Sequence, residues 1–187
     1  ESLPEEEIAM TVSKRNCTSM EMLEQLIKED PSIQKRMNDI DAFTQRVLSS
    51  PDAARLLPDG TIEIPVVVNV LYRTAAQNIS AAQIQSQIDV LNEDFAASNS
   101  DYNLTSTYNS VKAGSTGIRF VLDAVKRRST NTVSWGTNDA MKKAAKGIAP
   151  TSPTTKLNIW VCNMGGGILG YAQFPGGSSA TDGVVLD

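Results

Sequence analysis

Histidine is absent from all 187 residues. That absence excludes more chemistry than any other feature: no imidazole base, no Ser-His-Asp triad and no histidine-ligated metal can be built from these residues alone. Cysteine is nearly as scarce. Cys17 and Cys162 are too few for a disulfide framework, and their separation in sequence fixes no geometry between them. No run approaches 18 apolar residues, so no membrane span is expected. No basic-then-apolar leader opens the chain, as expected equally of a mature exported protein and of a cytosolic one. An excess of basic charge is missing too: the net charge of −4 speaks against a dedicated nucleic-acid surface.

What is present is enough apolar material, 41% of residues, for one domain or one domain with a helical appendage. The first third reads as helical. Thr18 and Glu21 form a capping-box pair, and Met20, Leu23, Leu26 and Ile27 follow at helical spacing. Asp30 and Pro31 stop that helix and start another, whose Ile33, Met37, Ile40, Phe43 and Val47 share one face. Two amphipathic helices cannot cover their stripes alone, so both are expected to lean on something else. The proline, glycine and aspartate of "SSPDAARLLPDG" mark a linker.

"TIEIPVVVNVLY" alternates while its second face is partly apolar, which predicts a strand covered on both sides. Ser80 with Gln83 then caps a helix carrying Ile84, Ile88, Leu91 and Phe95. "GIRFVLDAV", "KLNIWVCNM", "GYAQF" and "GVVLD" read as further strands, with a short helix over "NDAMKKAAKG" closed by Gly147. The order predicts an α/β fold: a mixed, mostly parallel twisted sheet with helices, preceded by a helical segment.

Few residues are placed to carry chemistry. Cys17 directly precedes the first helix, whose positive end favours the thiolate, the form that binds metal; Arg15 and Lys14 add to that field. The alternative is a cysteine that merely packs. Cys162, among Ile159, Trp160 and Val161, reads as a small buried hydrophobe. In "NMGGGILGYAQFPGG" three glycines precede a strand, so Leu169, Gly170, Tyr171 and Ala172 can offer backbone groups to an extended peptide. A flexible hairpin is the alternative there. A phosphate loop is rejected, because the glycines precede a strand and lack the Lys-Ser/Thr pair. Asp89, Glu93 and Asp94 read as a solvated helix face.

Three blocks resemble one family. "RNCTSMEMLEQLIKEDPSIQKRM", "TIEIPVVVNVLYRTAAQNISAAQIQSQIDVLNEDFAASNSDYN" and "KLNIWVCNMGGGILGYAQFPGGSSATDGVVLD" are similar, in the same order, to a bacterial pappalysin-type metzincin, a secreted zinc metallopeptidase in precursor form. The resemblance implies a metzincin-like fold divided into residues 1–60, a helical pro-segment and linker, and 61–187, the N-terminal subdomain of a catalytic domain. It implies that Leu169, Gly170, Tyr171 and Ala172 belong to the edge strand that pairs with substrate. A closing strand then leads to a helix bearing His-Glu-x-x-His-x-x-Gly-x-x-His, with three zinc-binding histidines and a glutamate base. The chain ends at Asp187, before that helix would begin, so no catalytic residue is expected in it.

The same resemblance makes Cys17 the latency ligand of zinc in the full precursor, although Asn16 and Thr18 depart from the family's usual Arg-Cys-Gly spelling. Asn69 stands where the first strand of the family carries a structural histidine. The implied cofactor is zinc in the full-length protein, with calcium allowed beside it, and no bound metal is expected in residues 1–187 alone. The implied partners are protein or peptide substrates and the C-terminal remainder of the catalytic domain, in an extracellular setting. The other functional class is a non-catalytic binding or inhibitory module derived from the same fold, for which the lack of histidine would be natural.

Overall fold

A computed structural model describes residues 16–49, 60–104 and 106–187. Lys14, Arg15, Arg55 and most of the expected linker lie outside the described residues, as do the side chains of Val47 and Leu48. The elements run β1 (Asn16–Cys17), α1 (Ser19–Glu29), α2 (Ser32–Leu48), β2 (Ile62–Tyr72), α3 (Ala81–Phe95), β3 (Ile118–Ser129), β4 (Leu157–Val161), β5 (Ile168–Ala172) and β6 (Val184–Leu186). The sheet order is β1-β5-β6-β4-β2-β3. Among the described residues only the β5–β6 pairing is antiparallel. The expected α/β fold with a mixed, mostly parallel sheet is therefore what forms. Among the described residues no helix is long and apolar enough to cross a membrane.

β2 organises both layers. Val66, Val68 and Val70 share one hydrophobic cluster with Ile84 and Ile88 of α3, Phe120 and Ile159. Burying each such side chain contributes roughly 1.5–3 kcal/mol. Ser80 caps α3 as its sequence foretells, its hydroxyl accepting from the Gln83 N–H at 3.0 Å. At the helix's other end Phe95 meets Phe120 edge to face, ring centroids 4.9 Å apart. The second cluster joins Leu71, Trp135, Met141, Trp160, Cys162, Tyr171 and Val185, and it takes in Met22 of α1. Asn69 is fully buried in the middle of β2 with neither amide atom partnered.

Four local expectations are corrected. The Thr18 side chain makes no cap; its N–H is drawn to the Gly170 carbonyl at 3.2 Å, which sets its backbone away from the extended capping geometry. The buried position of α1 is Met22, while Met20 is exposed. Among the described side chains of α2 only Ile33 is buried; Ile40 and Phe43 face outward. "NDAMKKAAKG" forms a single 3-10 turn at Ala140–Lys142 and not a helix. The backbone breaks on both sides of this turn: Asp139 is left-handed at φ 57° and Lys143 is extended, and Arg128 donates to the carbonyls of Ala144, Ala145 and Gly147 beyond it.

Candidate functional site

The site is built on β5. Gly166 and Gly167, at φ 70° and 72°, bring the chain from β4 into this strand. On one side β5 pairs with β6, Gly170 facing Leu186 and Tyr171 facing Val185. A Cβ on Gly170 would lie 2.4 Å from the Val185 carbonyl oxygen, so the strands approach this closely only because the residue is glycine.

Tyr171 turns its ring into the core. Its hydroxyl donates to Asp139 Oδ1 at 2.8 Å, and burial, then the Asp139 charge, push its pKa up, keeping the phenol neutral. Beside it lies Lys142, 2% exposed, in the stretch expected to form a short helix. Its ammonium donates to the Thr181 carbonyl at 2.6 Å and pairs with Asp139 at 2.9 Å. It also stands over the rings of Trp160 and Tyr171, 5.5 and 5.0 Å from their centroids. This cluster fastens β5 and the loop that follows it to the core.

The other side of β5 is occupied by β1. Asn16 and Cys17 run parallel to β5, in register with Ile168 and Gly170. The Asn16 N–H donates to the Gly167 carbonyl at 3.1 Å, the Thr18 N–H to that of Gly170, and the Ala172 N–H donates to Ser19 Oγ at 3.0 Å. The edge formed by Leu169, Gly170, Tyr171 and Ala172 is thus paired by the chain's own N-terminal segment. The sequence reading identified both partners and missed their pairing, because a two-residue polar strand carries no periodicity.

Cys17 is exposed on β1. Its Sγ lies 3.4 Å from Ser19 Oγ, and this hydroxyl, followed by the Ser19 N–H, holds the thiol below its ordinary pKa. Ser19 opens α1, so its N–H is the helix-start effect expected from the sequence, while Arg15 lies outside the described residues. Cys162 is the opposite case: burial, then the Asp187 charge, push it up to about 12. Both cysteines are free. A thiol-specific reagent at pH 7.5 (roughly physiological) is expected to modify Cys17 at least about tenfold faster than Cys162. Mass mapping after partial labelling checks this, and equal rates would contradict it.

Zinc takes about four ligands. Cys17 offers one sulfur, the chain has no imidazole, and no cluster of three potential ligand side chains occurs among the described residues.

In this α/β sheet β1 covers the outer side of β5 and sets the exposed Cys17 thiol in register with Gly170. The chain matches no protein-family model and no curated protein. Among solved structures it is similar to a glutamate-to-alanine mutant of Tannerella forsythia promirolysin, a metallopeptidase precursor: 37% identity, 91% of this chain, 58% of that chain, TM-score 0.73. It is also similar to mature T. forsythia mirolysin in complex with a cleaved peptide, at 43% identity over 69% of this chain and 53% of that one, TM-score 0.64. Mirolysin in complex with compound 9 gives 44%, 67%, 52% and 0.63 for the same measures. The chain spans somewhat more than half the length of these relatives.

Proposed function

We propose that this chain is the pro-segment and the N-terminal catalytic subdomain of a secreted, zinc-dependent metalloendopeptidase precursor of the pappalysin type among metzincins. The observation that carries the reading is the parallel pairing of β1 with β5, which places Cys17 on the edge where a peptide would add as a strand. The comparisons support it from another direction. The share of this chain that is matched falls from 91% against the precursor to 69% against the mature protein. That drop is about a fifth of the chain, the size of the segment from β1 through α2.

In this reading residues 1–60 confer latency and 61–187 supply the substrate-binding edge, Leu169, Gly170, Tyr171 and Ala172. Cys17 contributes a sulfur to a zinc whose other ligands come from the C-terminal remainder; calcium beside the zinc belongs to the same reading. Substrates are proteins or peptides taken outside the cell. Activation is expected to cut the full-length precursor between Leu48 and Ile62, a stretch that contains Arg55 and follows the exposed Arg46 on the last turn of α2. N-terminal sequencing of the active form checks this. A first cut inside α3 would refute the division.

A further inference from the structure

Past Ala172 the chain runs through residues 173–183 before β6, and α2 lies against this loop. Arg36 donates from Nε to the Gly176 carbonyl at 2.6 Å. The same guanidinium donates to Asp30 Oδ2 at 3.0 Å and to Ser32 Oγ. Asp30 in turn accepts from the Ser32 N–H at the junction of α1 and α2, and the Ser32 and Arg36 hydrogen bonds hold its carboxyl below the usual range. The fork is therefore braced by its own helices before it reaches the loop. The loop fits the helix in return. Gly176 has φ 99°, and a Cβ there would lie 3.3 Å from both Arg36 Cβ and Met37 Cγ. Ile33, buried one turn away, packs the same junction, and with Leu26, Gln173 and Thr181 it lines a hollow of about 370 Å³.

We propose that Arg36, seated on Gly176, is a second anchor of the N-terminal helices, independent of Cys17, that keeps them docked over β5 after the connection between α2 and β2 is cut. The proposal rests on reading residues 16–49 as a pro-segment. Hydrolysis of the connecting chain removes the tether and leaves this contact intact, so exposure of the edge strand becomes a separate step. The Arg36 and Asp30 side chains are 45% and 51% exposed. The anchor is accordingly modest, about three- to tenfold in docking equilibrium, and thus releasable.

Hydrogen exchange on the intact full-length precursor tests it. In Arg36→Ala, amides of residues 33–37 and 176–178 should exchange about three- to tenfold faster, with β2 unchanged. Arg36→Lys, which keeps the charge without the fork, should fall between. Gly176→Ala should loosen the same amides by pushing on α2 from the other side. Unchanged exchange in both Arg36→Ala and Gly176→Ala overturns the anchor. So does an equal rise in β2, which marks a general loss of stability. Retention of residues 16–49 in the active protein would instead overturn the pro-segment reading; the exchange effect would persist, and only its link to latency would fall.

Discussion

Lys142→Ala is expected to destabilise the full-length protein by about 3 kcal/mol, since its ammonium is buried and paired. The Lys142 side chain is 1% exposed and that of Asp139 15%. Removing the ammonium leaves the Asp139 carboxylate with the Tyr171 hydroxyl but no countercharge, takes the Lys142 donor from the Thr181 carbonyl, and opens a void between Trp160 and Tyr171. The partial exposure of Asp139 keeps the cost at the lower end of the range for broken buried pairs. Lys142→Met retains the stem between the two rings, so it should cost less. Adding Asp139→Asn to Lys142→Met should cost less than the two changes summed, since the carboxylate then needs no countercharge. Urea unfolding of the four proteins measures this; strict additivity would show that the pair is not coupled.

That cluster also marks where sequence reasoning stopped. β2 was legible because six alternating apolar positions, from Ile62 to Tyr72, leave little choice of face. α3 was legible because its cap and its apolar spacing agree, and both are found in place. Lys142 was not legible: in "NDAMKKAAKG" it stands among helix-favouring residues, and Trp160, Tyr171 and Thr181, which surround its ammonium, come from later in the chain. β1 escaped for a related reason. The Ala172 N–H that Ser19 accepts comes from 153 residues away, and no local pattern records such a partner. Sequence identified Cys17 and the edge from Leu169 to Ala172 as separate features; the fold brings them side by side. The apolar face expected on α2 shows the converse, since Ile40 and Phe43 read as core and find no cover among the described residues.

Cys17→Ala is expected to speed activation of the full-length precursor at least about tenfold while leaving the activated protein unchanged. In the proposed reading thiolate–metal affinity sets the scale: binding a soft sulfur to zinc is a strong interaction, and its loss would remove a tie that backbone pairing alone does not supply. The substitution is selective because β1 holds β5 through main-chain groups, from Asn16 to Gly167 and from Thr18 to Gly170, which alanine retains. Ser19 likewise keeps its bond from the Ala172 N–H. The two explanations of latency therefore separate cleanly. If the segment acts by bulk, the variant still carries all of that bulk and should activate at the wild-type rate. If the sulfur is a ligand, the rates part, and Cys17→Ser should lie between, since a hydroxyl is a poorer zinc ligand than a thiolate. Activation time courses of the three precursors, with metal content measured in each, decide the matter. Equal rates with equal metal would reduce Cys17 to an exposed thiol on a blocking strand.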